Sequence, residues 1–190
     1  MIYKKEDLKR YLAADAIGYE SRTSGLLQRI RNNLGVTPIS DQKYIWLYIK
    51  TMRYLEYHMN KKQKPWDIFF IIYYRLKLKK YSYITGYQIP PNTVDAGLTI
   101  YHRGTIIINE NAHIGKNAVL RPDIVIGHKA PGQGCPKLGD NVTIDPGARI
   151  FGDITIGNNV EIAPNACVVK NFSDNLIIGG IPANIIKHKN

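Results

Sequence analysis

Aliphatic residues recur every six positions through the second half of this 190-residue chain. The residue four places after each of them is also apolar, and Gly, Asn and Asp fill many positions between. An α-helix cannot keep a period of six on one face, because six residues are far from a whole number of 3.6-residue turns. Short strands joined by turns can keep this period on one face, so the pattern predicts the stacked coils of a parallel β-solenoid. The repeat comprises Ile108, Ile114, Leu120, Ile126, Leu138, Ile144, Ile150, Ile156, Ile162 and Val168.

The repeat is broken at two places. His102 lies six residues before Ile108, where the pattern would put an aliphatic side chain. Between Ile126 and Leu138, Gly132 takes the aliphatic position, and the sequence GHKAPGQGCPK predicts a loop that leaves the wall of the solenoid. A loop that interrupts a rigid scaffold is a natural place for substrate contacts.

The first half of the chain has helical spacing instead. Apolar residues of 45–59 share one helical face, after a candidate N-cap at Ser40-Asp41. A second helix is predicted to begin at Pro65, although the dense aromatic and β-branched residues at 69–73 leave a strand open. A weaker helix is predicted at 5–12.

Loop is predicted for most of residues 18–35. We therefore predict an α-helical N-terminal cap over residues 1–82. Residues 83–190 are predicted to form the solenoid together with a C-terminal extension.

Charge divides the chain at the same place. Residues 1–90 hold 17 Lys and Arg against 7 Asp and Glu, whereas residues 91–190 hold 9 against 8. The basic cluster permits a solvated helical face, attraction to an anionic membrane surface, or nucleic-acid binding. Nucleic acid is the weakest of these, because groove-reading and stacking motifs are absent, and no nucleic-acid partner is predicted. The cluster comprises Lys61, Lys62, Lys64, Arg75, Lys77, Lys79 and Lys80.

The two cysteines, Cys135 and Cys167, make neither a disulfide framework nor a metal quartet. The first residues, MIYKKEDLKRYL, have no apolar core like that of a signal peptide. A reducing cytoplasm is the expected location, with peripheral association at the inner face of the membrane left open by the basic cluster.

The six-residue repeat, the break at His102, the segment CPKLGDN and the closing GGIPANIIK together resemble the hexapeptide acyltransferases. Within them, the chain is most similar to serine acetyltransferases and to O-acetyltransferases of bacterial surface-polysaccharide pathways. The similarity covers roughly residues 83–187. It implies a mainly β fold, namely a left-handed parallel β-helix, and a homotrimer that binds acetyl-CoA between adjacent subunits without a metal.

The resemblance gives His102 the role of general base. An imidazole with a pKa near 6.5 can take the proton of a hydroxyl while its oxygen attacks a thioester carbonyl. From spacing alone, a core histidine bonded to a carbonyl group is an equal alternative. Glu110 matches a family glutamate that could orient the imidazole or bind acceptor hydroxyls, and a solvated corner residue is its alternative.

Three residues are candidates for binding the acceptor: Asp95, Asp123 and His128. The family has an aspartate that pairs with the catalytic histidine, and Tyr87 occupies that position here. It also has a histidine before PKI, where this chain has Cys135. A nucleophilic pair of Cys135 and His128 is disfavoured, because Gly-rich loops rarely hold a thiolate in fixed geometry.

For acetyl-CoA, the resemblance assigns two basic residues to the phosphates and five residues to a pantetheine groove. A lysine suits phosphate as a point charge. Two of the groove residues, both alanines, also occupy small positions of the repeat, and a purely structural role in the solenoid interior is favoured for them. The phosphate residues are Lys170 and Lys187, and the groove residues are Pro146, Ala148, Pro164, Ala166 and Val169.

The departures at Tyr87 and Cys135 favour an acceptor other than serine. The prediction is therefore an acetyl-CoA-dependent O-acetyltransferase that acts on a sugar hydroxyl, a glycan acceptor of capsule or lipopolysaccharide biosynthesis. Serine O-acetyltransferase of cysteine biosynthesis is the alternative. A non-catalytic β-helix scaffold is a third reading from a different class.

Overall fold

The computed structural model describes residues 1–20, 41–62 and 64–189. Its N-terminal part is helical, and residues 69–73 lie in a helix rather than in a strand. Gly18 of the predicted loop lies in the first helix, whereas residues 21–35 of that prediction fall outside the described residues. The helices are α1 (Lys5–Glu20), α2 (Asp41–Asn60) and α3 (Asp67–Thr85).

Short strands follow the helices and stack into coils with three sides, and every pairing between coils is parallel. The strands are β1 (Tyr87–Gln88), β2 (Thr99–Ile100), β3 (Ile106–Ile108), β4 (His113–Ile114), β5 (Val119–Leu120), β6 (Ile124–Gly127), β7 (Lys137–Leu138), β8 (Thr143–Ile144), β9 (Arg149–Phe151), β10 (Thr155–Ile156), β11 (Glu161–Ile162), β12 (Cys167–Val168), β13 (Leu176–Gly180) and β14 (Ala183–His188).

The first side of the coil holds β1, β3, β6, β9 and β12, and the second side holds β4, β7 and β10. The third side runs from β2 through β5, β8 and β11 to β13, and β14 pairs antiparallel with β13 at its edge. The C-terminal extension is therefore a strand that closes the third side. Helix α3 ends at Thr85, three residues beyond the predicted boundary at residue 82.

The coil buries the repeat as the six-residue period predicts. All ten repeat residues are at most 3% exposed. Leu138 pairs with Ile156, 18 residues on, as three hexapeptides per coil require. Ile114 pairs with Leu138, 24 residues on, and the six extra residues form the predicted loop after Gly127.

One corner of the coil, between the second and third sides, is held by a ladder of asparagines. Asn117, Asn141, Asn159 and Asn175 have positive φ between 57° and 61°, a backbone region that asparagine tolerates better than most residues. The Nδ2 group of each of the first three donates to Oδ1 of the next, at 3.0, 3.0 and 2.9 Å. This ladder fixes the stacking distance of successive coils.

The position of His102 in the repeat differs from the prediction. Ile100 pairs with Leu120, and Ile106 pairs with Ile124, so the upper coil uses six residues where the coil below it uses four. Residues 101–105 therefore bulge outward at the corner between the third and first sides. We call this edge of the solenoid, with the residues stacked below it, the histidine corner. His102 is exposed there and does not occupy an interior position.

The helical cap shares its core with the coil. Tyr48 and Met52 of α2 belong to the same buried cluster as Tyr87 and Ile89 of the first coil. The Tyr48 hydroxyl donates to the Ile89 carbonyl at 3.2 Å and accepts from the Ile89 N–H at 3.0 Å. The cap consequently fixes the coil from which residues 101–105 emerge.

Candidate active site

His102 presents an exposed imidazole on a backbone that is held from inside. The Tyr87 hydroxyl donates to the His102 carbonyl oxygen at 2.8 Å. Tyr87 is fully buried and packs edge-on against Tyr48, with ring centroids 5.2 Å apart. Burial raises the pKa of Tyr87, so its hydroxyl stays protonated and remains a donor. The imidazole is thus free to meet a ligand while its main chain is fixed.

Tyr87 stands where the family resemblance placed an aspartate, and its contact is different. The phenol reaches the main chain of His102 and not the ring. Within residues 1–20, 41–62 and 64–189, the ring has no hydrogen-bond or ion-pair partner. From α2, Asp41 pairs with the neighbouring Arg103 and holds the bulge from outside. The histidine is positioned through its backbone on both sides.

Asp123 lies at the histidine corner, one coil below the bulge. A Cβ atom on Gly104, whose φ is 147°, would lie 2.7 Å from Pro122, so the bulge rests directly on this coil. The Asp123 carboxylate is exposed and pairs with Arg149 at 3.2 Å. A carboxylate and a guanidinium are therefore available beside the coil that carries His102.

The same edge holds a second ion pair that the sequence did not reveal. Arg121 bonds to Asp145 at 2.6 Å and covers the Tyr101 ring at 5.8 Å. Burial raises the pKa of Asp145, and the Arg121 charge opposes that effect. The sequence gives little indication that these arginines belong to a site, because a basic residue beside a solenoid corner is ordinarily solvated.

Glu110 and His128 lie together, but at a different corner from His102. Both line an open cleft of about 450 Å³ between the first and second sides. Asn109 Nδ2 is 3.2 Å from His128 Nδ1, and the Cys135 thiol donates to Asn109 Oδ1 at 3.3 Å. Burial raises the pKa of Cys135, which keeps this sulfur a neutral thiol.

The predicted site residues are therefore distributed over separate corners. Strand β3 separates His102 from Glu110. Asp95 lies at the corner that holds the asparagine ladder, between the second and third sides. Its carboxylate accepts a hydrogen bond from the Tyr11 hydroxyl at 3.1 Å, and its Oδ2 is 3.6 Å from His113 Nε2. Asp95 thus ties α1 to the coil. Of the acceptor candidates, the structure brings only Asp123 to the corner of His102.

The residues expected to bind acetyl-CoA fall into three groups. Pro146 and Pro164 are exposed on the two coils below Asp123 and extend the histidine corner downward. Ala148 and Ala166 are fully buried, so their side chains fill the interior, which agrees with the favoured structural role and not with a place in the groove. Val169 is half-buried on the next corner, and its carbonyl oxygen lies 3.5 Å from Lys129 Nζ.

The two predicted phosphate lysines lie at the last coil. Lys170 Nζ donates to Asn184 Oδ1 at 2.7 Å and lines a cleft of about 470 Å³ that Ile185 also lines. Lys187 is exposed on β14. Both ammonium groups are accessible, which is what a phosphate ligand requires.

The fold and this edge define a class of protein: a left-handed parallel β-helix built from hexapeptide repeats, with a helical cap and a histidine on its edge. Residues 135–170 match the family model described as bacterial transferase hexapeptide (six repeats). The resemblance to serine acetyltransferase-like hexapeptide transferases is confirmed.

Particular relatives share this pattern. The chain is 34% identical over 108 residues to serine acetyltransferase of Staphylococcus xylosus, which covers 55% of this chain and 50% of the relative. It is also 33% identical over 108 residues to serine acetyltransferase of Staphylococcus aureus strain Mu50, and this match covers 55% of this chain and 51% of the relative. The chain spans about half the length of these curated relatives.

Solved structures support the same fold over nearly the whole chain. Soybean serine acetyltransferase superposes with a TM-score of 0.72 at 20% identity, covering 96% of this chain and 70% of that one. The Neisseria gonorrhoeae serine acetyltransferase superposes with a TM-score of 0.68 at 20% identity, and the match covers 98% of this chain and 67% of that one. The Brucella abortus enzyme in complex with coenzyme A gives 0.69 at 20%, covering 98% and 70%.

The predicted preference for a sugar of surface polysaccharides is wrong. The relatives and the structural neighbours carry the name serine acetyltransferase, which supports the alternative. Tyr87 and Cys135 had argued against serine, but both are buried. Tyr87 bonds to a main chain and Cys135 to Asn109, so neither is placed to select an acceptor.

Proposed function

We propose that the chain is an acetyl-CoA-dependent O-acetyltransferase whose acceptor is the hydroxyl of serine. The observation that carries the proposal is the exposed His102 imidazole on a fixed bulge of a hexapeptide coil. Relatives named serine acetyltransferase, at 33–34% identity over half of the chain, supply the acceptor.

In the proposed reaction, His102 takes the proton of the serine hydroxyl as its oxygen attacks the thioester carbonyl. Donors that stabilise the tetrahedral intermediate would be backbone N–H groups along the groove. The C–S bond then breaks, and the imidazolium returns the proton to the departing thiolate. The products are O-acetylserine and free CoA, and no acyl-enzyme forms.

Charges at the histidine corner suit a zwitterionic acceptor. Asp123 offers a carboxylate for an ammonium group, and Arg149 offers a guanidinium for a carboxylate. The two groups pair with each other at 3.2 Å, so an amino acid would exchange this ion pair for contacts with its own two charges. Glu110 and His128 lie at another corner, so a role in this reaction would require them to act from an adjacent subunit.

We further propose a homotrimer in which acetyl-CoA lies along the histidine corner, against the wall of the next subunit. Pro146 and Pro164 would contact the pantetheine arm, and Lys170 and Lys187 would meet phosphates near the last coil. Acetyl-CoA enters as a co-substrate. The Brucella abortus neighbour was solved in complex with coenzyme A, which supports acetyl-CoA as the co-substrate.

Release of free thiol from acetyl-CoA, measured with serine and with a panel of sugars, tests the proposal. His102→Gln should lower turnover by about 10²–10⁴-fold, the usual contribution of a general base. His188→Gln is the matched control, because His188 is exposed on β14 and has no proposed role. Mass spectrometry of the product should show O-acetylserine.

Three results would overturn the proposal. Full activity of His102→Gln would remove the histidine from the reaction. Turnover with sugars but not with serine would remove the acceptor. Failure of the wild-type protein to bind acetyl-CoA at all would favour a non-catalytic scaffold.

A further inference from the structure

Helix α3 exposes most of its apolar side chains. Of its 19 residues, only Asp67, Ile71 and Thr85 are buried. A soluble helix ordinarily turns its apolar stripe inward, and a contiguous exposed apolar surface marks an interaction site. The exposed apolar residues of α3 and the residue before it, which we call the α3 face, are Trp66, Ile68, Phe69, Phe70, Ile72, Tyr73, Leu76 and Tyr83.

The α3 face is ordered around one line along the helix. Phe69, Leu76 and Tyr83 are spaced by seven residues, about two turns each, and so lie nearly above one another. Their exposures are 72%, 65% and 79%, the highest among the large apolar residues of the helix. The line points away from Tyr74, which stacks on Tyr54 of α2 with ring centroids 5.4 Å apart, and therefore away from α2.

Cations flank this line on both sides. By the helical rotation of about 100° per residue, Arg75 and Lys79 fall on one side of it and Lys77 and Lys80 on the other. Lys77 lies over the Tyr73 ring at 5.4 Å, with its stem along the apolar surface. Long basic side chains arranged in this way can bury their stems while the charges stay at a polar boundary.

On α3 itself no exposed acidic residue accompanies these cations, although Glu110 of the coil lines one cleft together with Arg75 and Lys79. The sole acidic residue of α3, Asp67, is 1% exposed and pairs with Lys61 at 2.7 Å. Lys62 and Lys64, just before the helix, are exposed and add further positive charge. The partner of the α3 face should therefore be apolar within and anionic at its rim.

A second copy of this chain that packs through a two-fold contact does not meet that requirement. A two-fold contact would place each α3 face against itself and bring Arg75, Lys77, Lys79 and Lys80 of both copies together. Like charges brought together at an interface disfavour the contact. An anionic lipid surface has the opposite charge, and Trp and Tyr side chains favour the boundary between lipid and water.

We propose that the α3 face docks on an anionic lipid bilayer, with its apolar line in the headgroup region and its cations against the phosphates. In the described part of the chain, no helix is long and apolar enough to span a bilayer. The association is thus peripheral and parallel to the surface. It does not depend on the proposed acetyl transfer.

Co-sedimentation of the whole chain with vesicles tests this docking. We expect binding to phosphatidylcholine vesicles that contain phosphatidylglycerol and little binding to phosphatidylcholine alone. Lys79→Gln with Lys80→Gln should weaken binding roughly 30-fold, since each basic residue contributes about fivefold. Lys5→Gln with Lys9→Gln, on the exposed part of α1, is the matched control and should bind like wild type.

A second pair of variants tests the apolar line. Phe69→Ser should weaken vesicle binding roughly 10- to 100-fold, whereas Ile17→Ser, equally exposed at 72% on α1, should not. Equal binding by Phe69→Ser and wild type would overturn the proposal. So would the absence of binding to anionic vesicles, together with a concentration-dependent mass that Phe69→Ser abolishes, because the occupant would then be a second copy.

Discussion

Substitution of Arg53 tests how strongly the helical cap is joined to the coil, because its guanidinium is fully buried between α2 and the first coil. Its Nε lies 2.8 Å from Asp15 Oδ2, and its Nη1 lies 3.0 Å from Glu56 Oε2. It also donates to the carbonyl oxygens of Val94 and Asp95, both at 2.8 Å. Arg53→Met would keep the volume and remove all of these contacts.

The expected cost is about 3–5 kcal/mol, since removing one partner of a buried ion pair leaves an uncompensated charge. Here two carboxylates and two carbonyl groups lose their partner. Asp15 still accepts from the N–H groups of Gly97 and Leu98, and Glu56 from the N–H group of Asn92, which limits the cost on both sides. Burial opposes the charge of Arg53, but Glu56 and Asp15 hold its pKa above the ordinary value. The Arg53 guanidinium therefore stays charged across the usable pH range.

Denaturant unfolding and the melting temperature measure this loss. For a chain of this length, 3–5 kcal/mol corresponds to a fall in Tm of roughly 6–20 °C. The triple variant Arg53→Met, Asp15→Asn, Glu56→Gln should recover much of the stability, because it removes the stranded charges. If Arg53→Met lost under about 1 kcal/mol, the argument that this cluster joins cap and coil would be refuted.

Three further predictions use single residues. Tyr87→Phe removes the donor to the His102 carbonyl and should lower stability by about 0.5–1.5 kcal/mol. It should also lower kcat without changing KM for acetyl-CoA, and steady-state kinetics would show the split. Asn141→Ala breaks two ladder bonds at a left-handed backbone position and should cost about 2 kcal/mol by urea unfolding, and an unchanged midpoint would contradict this. Because burial raises the pKa of Cys135, its thiolate forms only at higher pH, so alkylation followed by mass spectrometry should modify it only at more alkaline pH than a free peptide thiol.

The six-residue period predicted the coil because a solenoid buries the same position in every repeat. It failed at His102 for an equally local reason. Counting backward from Ile108 assumes that no residue is inserted, but the bulge adds two. Val94, Ile100 and Ile106 are themselves six residues apart, in a phase shifted from Ile108, and this shift was the available signal.

The helices of the cap could be predicted from their spacing, but the contacts that bind them to the coil could not. Asp15 and Arg53 are 38 residues apart and meet only when α1 and α2 pack together. A charged residue in a helix is ordinarily taken as solvated, because burial of an ion without a partner is unfavourable. Ion-pair partners that meet only in the tertiary structure leave no pattern in the local sequence.

Acceptor choice was misjudged because the family positions at Tyr87 and Cys135 were treated as if they faced the substrate. In the structure, each is set by a neighbour inside the protein. Tyr87 fits against Tyr48 of the cap, and Cys135 fits against Asn109 of the adjacent coil. A residue that departs from a family motif informs about specificity only when its side chain reaches the ligand.

The cap and the histidine corner are therefore held together by direct contacts. Asp41 of α2 pairs with Arg103 on the outside of the bulge, while Tyr87, packed on Tyr48 of α2, holds His102 from inside. Preorganisation of a general base depends on the groups that fix its backbone as well as on those that touch its ring. In this chain, Tyr87 holds the main chain of His102 where the family resemblance predicts a carboxylate for the ring, and the cap thereby fixes the backbone that carries the proposed general base.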